Sequence, residues 1–250
     1  MDKPIVFISH ISEERDLAIA FKELVESSFL GMLDVFVSSD EHSVSLGQKW
    51  LDNITQALKS CSIEIILCSP KSISRPWINF EAGAGWIREL PVIPLCHSGM
   101  EPDKLPLPLN LLQAAKVSEV SSLKLIFPVL AEAIDSKTPQ VDFSEFIKKV
   151  ADFEITYTFW DKVNENFNKL VTFNQQLVLA IKSKKVIDID LTQPDIIYLK
   201  SFMDFFLQHN IMNFSQIGGV SITPSGTYYR CQIRPLSDLD TIINDPHFKF

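Results

Sequence analysis

The chain has 250 residues, 46% hydrophobic and 22% charged, with a formal net charge of −8. That length holds one large domain, or a core domain with a smaller appendage, and the composition is that of an ordinary globular protein. An acidic chain with no segregated basic face is repelled by phosphate backbones, so no direct DNA binding is expected, and no apolar run is long enough to imply a membrane span.

The opening MDKPIVFISH has no basic stretch, long apolar core or small-residue cleavage site, so the expected location is cytoplasmic. Four cysteines, Cys61, Cys68, Cys96 and Cys231, are scattered without a CxxC pair. Cys68 and Cys96 lie in apolar runs and read as small buried hydrophobes. The five histidines show no ligand spacing, and no metal is expected.

The first half alternates short apolar runs with amphipathic stretches. PIVFIS (4–9) reads as a strand, and SEERDLAIAFKELVESSF (12–29) as a helix with Leu17, Ala20, Phe21, Leu24 and Val25 on one face and Ser12 as its cap. LDVFVS (33–38) is a second strand, SLGQKWLDNITQALKSC (45–61) a helix entered after Gly47, and SIEIILCS (62–69) a third strand. RPWINFEAGAGWIREL (75–90) is the next helix, PVIPLC (91–96) a fourth strand, AKVSEV (115–120) a short fifth, and SLKLIFPVLAEAI (122–134) the closing helix. Strand and helix alternating at this spacing predict a parallel sheet covered on both faces, an α/β fold whose ligands lie at the C-terminal ends of the strands.

The polar stretch DSKTPQ (135–140) marks a boundary, giving a domain over 1–135, a linker over 136–141 and a second domain over 142–250. FWDKVNENFNKLVTFNQQLVLAIKSKK (159–185) has a helical apolar stripe, and its IKSKK end reads as a solvated terminus. PDIIYLKSFMDFFLQHN (194–210) is a further helix with Pro194 in its first turn, and the aromatic-rich 201–214 stretch reads as core. GGVSITPSGTYYRCQI (218–233) reads as two strands joined by a Pro-Ser-Gly turn, so this half is expected to be mostly helical and winged-helix-like. Lys200 is the one cation of IIYLKSFMDFF, too few for a recognition helix, so a protein-interaction or oligomerisation role is expected.

Within the 75–90 helix, Trp77 and Glu81 are four residues apart and share a face. An aromatic plane beside a carboxylate suits a flat cationic ligand with nearby hydroxyls, because the ring offers cation–π attraction and the carboxylate stabilises positive charge on a sugar. Glycosidic cleavage passes through such an oxocarbenium-like state. Nicotinamide riboside in NAD has these features, and its leaving group is already cationic, so one carboxylate can suffice. The plainer reading makes Glu81 a solvated helix residue and Trp77 a core anchor. Gly83 and Ala84 favour a helix packed closely on the sheet. Trp86, nine residues after Trp77, faces elsewhere and is expected to pack.

FISHISEERD, FVSSDEHSVSLGQKW and IILCSPKSISRPWINFEAGAGWIRELPVIPL together resemble a bacterial TIR domain over roughly residues 3 to 135. The resemblance implies a flavodoxin-like fold with a central five-stranded parallel sheet, and makes residues 39 to 47 the BB loop. Enzymatic members carry a glutamate in a W-x-x-x-E motif, matched here by Trp77 and Glu81, and cleave NAD at the nicotinamide–ribose bond. They use NAD as substrate with no further cofactor, serve in antiviral defence, and act on self-association. Glu81 is thereby the implied catalytic residue, with Trp77 lining the nicotinamide side. Phe7 is either a site residue or plain core, and Ser9 either a site residue or the cap of the following helix. Ser38 and Ser39 stand where ribose or phosphate contacts would come. His42 of the BB loop touches ligand or neighbour, or is simply exposed, and Trp50 is a substrate-side residue or buried. The competing reading is a TIR scaffold that recruits other TIR proteins without chemistry.

Overall fold

The computed structural model describes residues 3–37 and 50–250, the side chains of Trp50 and Leu51 excepted. Two compact units divide between Tyr157 and Thr158. In the first, strands β1 (Ile5–Ser9), β2 (Asp34–Val37), β3 (Ile63–Cys68), β4 (Val92–Cys96) and β5 (Ala115–Lys116) form a parallel sheet in the order β2-β1-β3-β4-β5. This is the doubly wound order whose direction of travel reverses between β1 and β3.

Helices α1 (Arg15–Ser28), α2 (Trp50–Ser60), α3 (Pro76–Ile87) and α4 (Val120–Glu132) cover the sheet, and α5 (Ser144–Phe173) begins within this unit. The strands are apolar on both faces because both are covered. Val6, Ile8, Ile63, Ile65 and Leu67 pack with the buried residues of α1 and α4. On the opposite face Phe7 joins Ile54, Ala57 and Leu58 of α2, while Ile66 and Cys68 join Ile78 and Ala82 of α3. Alternation along β3 therefore sends Glu64, on the face of Ile66 and Cys68, toward α3.

Several local expectations shift. The fifth strand is only Ala115–Lys116, and Ser12 sits inside a short 3-10 turn (Ser12–Glu14) rather than capping a helix. Glu14 instead reaches back to the Ile11 N–H at 3.2 Å. The first unit runs past the polar stretch at 135–141, because Phe143, Phe146 and Val150 of the following segment are buried in the same cluster as β1 and α1.

The second unit holds the rest of α5, α6 (Gln175–Lys182), α7 (Gln193–Gln208), α8 (Leu239–Ile243), and the strands β6 (Ile187–Leu191), β7 (Met212–Thr223) and β8 (Gly226–Pro235). The stripe expected over 159–185 is split at Asn174, whose side chain accepts the Gln176 N–H and starts α6. Thr192 and Asp195 cap α7 reciprocally, with Pro194 in its first turn. The anticipated hairpin is present as β7 and β8, and the sequence reading missed β6, which completes an antiparallel sheet in the order β6-β8-β7. Phe167, Leu199, Phe206, Cys231 and Ile233 are among its core.

A buried polar knot ties α5 to the sheet within the first unit. Glu14 Oε1 accepts from Ser69 Oγ at 2.7 Å, from the Tyr157 hydroxyl at 3.2 Å, and meets His97 Nε2 at 3.1 Å. Burial pushes the Glu14 carboxyl up, but hydrogen bonds and charge from His97, with Ser69 and the Ile11 amide, outweigh it and hold the carboxyl below its ordinary value. A depressed folded value means stability that is present above the unfolded value and lost as pH falls through the folded one. Glu14→Ala should cost about 3 kcal/mol in urea unfolding near pH 7, by analogy with breaking a buried pair, and the gap to the parent should narrow below about pH 4.

Candidate active site

Ser9 is the last residue of β1, at the rim where the sheet reverses direction and where ligands of doubly wound folds bind. Its neighbour in space comes from α3. That helix starts with Arg75 in extended conformation and Pro76 in the first turn, where a missing N–H costs nothing. One turn in, Glu81 turns inward and is only 1% exposed. Ser9 Oγ donates to Glu81 Oε2 at 2.5 Å.

Burial pushes the Glu81 carboxyl up to about 7, while hydrogen bonding from Ser9 and from the Trp77 side chain pulls the other way. Its second oxygen, Oε1, has no hydrogen-bond partner of ordinary geometry among the described residues. A buried carboxylate whose hydrogen-bonding capacity is only partly used gains from positive charge or a hydroxyl brought to it by a ligand.

Trp77 is partly buried against the α2-facing core and stacks on Phe80, ring centroids 5.1 Å apart. Phe80 is 59% exposed, so the pair presents an aromatic surface on α3 that the sequence reading did not pick out. Its only signal was a phenylalanine three residues after Trp77. Phe7 is fully buried and stacked on Phe36 at 5.5 Å, inside the sheet two residues short of Ser9. Ser38, Ser39 and His42 lie outside the described residues. Trp50 opens α2, with its side chain likewise outside them. Trp86, expected to pack, is 46% exposed, because its place on α3 turns away from the sheet.

The glycines of α3 divide differently from the expectation. A Cβ at Gly83 would meet nothing within 4 Å, whereas one at Gly85 would lie 2.0 Å from Glu64 Oε2 and 2.8 Å from Val92 Cγ2. The close approach of helix to sheet is therefore made at Gly85. Glu64, a carboxylate in an otherwise apolar strand, is fully buried beneath it and was also passed over in the sequence.

The Glu14 knot lies beyond the ends of β3 and β4 but is not built as a nucleophile and base. Ser69 and His97 both bond Glu14, and His97 Nδ1 meets Ser98 Oγ at 3.0 Å, so no serine–histidine hydrogen bond activates Ser69 among the described residues. Ser9 and Glu81 are therefore the candidate reactive pair.

Residues 6–124 match a family model described as TIR domain. Residues 6–124 are a TIR domain. Among solved structures, the TIR domain of a Toll-related receptor from Hydra magnipapillata matches with 19% identity and a TM-score of 0.41, covering 52% of this chain and 98% of that one. A CMP N-glycosidase from Clostridium botulinum matches with 14% identity and a TM-score of 0.32, covering 50% of this chain and 98% of that one. No curated protein matches the sequence. The central five-stranded parallel sheet is the core of the TIR fold, and no described helix is long and apolar enough to cross a membrane.

The two α3 glycines of this TIR domain should respond oppositely to alanine. Gly83→Ala is expected to raise stability by about 0.5–1 kcal/mol through lower unfolded-state entropy and better helix propensity. Gly85→Ala is expected to lower it by about 1–3 kcal/mol through overpacking against Glu64 and Val92. Chemical denaturation of both variants checks this; equal effects would refute the assignment of the close approach to Gly85.

Proposed function

We propose that the TIR domain is an NAD+ nucleosidase that cleaves the nicotinamide–ribose bond, yielding ADP-ribose or a cyclic ADP-ribose-type signal. The observation that carries this reading is the buried Glu81 carboxylate, anchored by Ser9 through Oε2 and with no partner of ordinary geometry among the described residues at the equally buried Oε1, at the strand rim of a TIR domain. The W-x-x-x-E spacing of Trp77 and Glu81, which resembles that of NAD-cleaving members, supports it.

In this mechanism the ribose C1′–nitrogen bond breaks with its electron pair going to nicotinamide, which leaves as a neutral molecule. Positive charge develops on the ribose ring. Ionised Glu81 stabilises that charge, and the Ser9 hydroxyl holds the carboxylate in place. Water then attacks C1′ and loses a proton to give ADP-ribose, or an internal nucleophile of the same molecule attacks to close a ring. Trp77 and Phe80 offer the flat surface for the departing pyridine ring.

The proposal extends to regulation. The domain works in bacterial antiviral defence and is switched on by self-association, with the second unit serving a protein partner. Two exposed apolar side chains near the end of α3, Trp86 and Ile87, the latter 86% exposed, favour a contact between copies and equally suit the scaffold alternative. Release of nicotinamide separates the two readings.

Glu81→Gln should lower nicotinamide release from NAD+ by about a hundredfold or more, as loss of a transition-state stabiliser does elsewhere. Parental rates in that variant would reject the assignment. The carboxylate must be ionised to act, so turnover of the parent should rise with pH through about 7. The Ser9 hydrogen bond favours the charged form, so Ser9→Ala should move that acid limb upward in a pH–rate profile.

A further inference from the structure

A second carboxylate sits under the same helix without a role in the scheme above. Glu64 lies on β3, a central strand, opposite Phe7 of β1 and Val92 of β4. Its side chain is 0% exposed, and neither oxygen has a hydrogen-bond partner of ordinary geometry among the described residues. The room it occupies exists because residue 85 is glycine, since any Cβ there would collide with Oε2 at 2.0 Å. Gly85 follows Glu81 by four residues, so Glu64 meets the Glu81 face of α3 one turn further along.

Among the described residues, the groups facing Glu64 compensate its charge only in part. From α3 comes Glu81, a like charge, and just past its end Arg88, whose guanidinium is engaged by the Leu58 carbonyl and lies 3.3 Å from Cys61 Sγ. From the end of α2 comes Cys61, whose own thiol is pushed up by burial. Phe7 and Val92, on the flanking strands, carry no charge. A buried carboxyl group so placed is held far more cheaply as the neutral acid than as the anion.

Resting on the nucleosidase reading, we propose that Glu64 is a positioning residue kept as a neutral acid beneath α3, so that the pair carries a single negative charge on Glu81 and the site works only while that single charge persists. Burial first, and the Glu81 charge second, push Glu64 up to about 8, with the Gly85 amide and Arg88 offsetting part of this. Glu81 therefore ionises first. At higher pH Glu64 follows, placing two like charges under one helix and forcing α3 away from its seat on β3. The site thus has an acid limit set by Glu81 and an alkaline limit set by Glu64.

Two readouts on the full chain and its Glu64→Gln variant test this. The folded value of Glu64 is raised, so the stability it contributes is complete below its unfolded value and lost as pH climbs through about 8. Glutamine does not titrate, and so the melting temperature of the variant should gain on the parent steadily from about pH 5 to about pH 9. A gap that stays constant over that range overturns the inference, whatever the protein does to NAD+. In nicotinamide-release assays the parent should lose activity above about pH 8. The variant should keep the acid limb and lose the alkaline one, and an unchanged alkaline limb in the variant would also sink the inference. If neither protein releases nicotinamide, the nucleosidase reading fails, while the melting series still decides the case of Glu64.

Discussion

The hydrogen bond from Ser9 to Glu81 is the contact on which the candidate site turns. A carboxylate stripped of water is costly unless something replaces its hydration, and here one serine hydroxyl at 2.5 Å does part of that work. The bond joins β1 to α3, two elements separated by 72 residues in sequence. It holds the acid in one orientation and opposes the neutralising effect of burial. A carboxyl left near its titration point is easily biased by a cationic ligand, which is how active-site acids are commonly tuned.

The sheet supplies the place for that contact. The order β2-β1-β3-β4-β5 leaves the end of β1 at the point where the chain changes direction, and helices on the α2–α3 face can reach it. Helix α3 comes close because Gly85 has no side chain, and the vacancy is filled from below by Glu64 rather than by a methyl group. Helix height, carboxylate position and strand register are thus one packing solution. A change at any of the three moves the other two, since interiors transmit displacement instead of absorbing it.

Much of this was legible in the residues. The apolar runs gave β1 to β4, the Pro76 start and its spacing gave α3, and the Trp77–Glu81 pair was visible as a shared helix face. Ser9 was suspected from its place at a strand end, with capping as the rival role; its hydroxyl goes to Glu81 instead. What stayed hidden was set by tertiary contact. Glu64 looked like one more residue of an apolar strand, because only the packing of α3 gives its charge a meaning. The Glu14 knot joins residues as far apart as 143 positions, with no spacing rule to betray them. The close-packing glycine was misplaced at 83 because sequence does not say which of two neighbouring glycines faces the sheet. In the second unit, β6 escaped notice because IDIDL alternates acids with isoleucines on a half-exposed strand too short to stand out.

The reach of the first unit to Tyr157 bears on how this protein is cut into pieces. A fragment ending where the TIR family match ends, at residue 124, would carry off Phe127, Leu130, Phe143, Phe146 and Val150, all lodged in the main core. It would also deprive Glu14 of its tyrosine donor. Each such aromatic or branched side chain contributes about 1.5–3 kcal/mol when buried, in sum comparable to a domain's whole usual margin of about 5–15 kcal/mol. The autonomous folding piece is therefore longer than the recognisable homologous one, and its last stretch is borrowed from a helix that continues into the neighbouring unit.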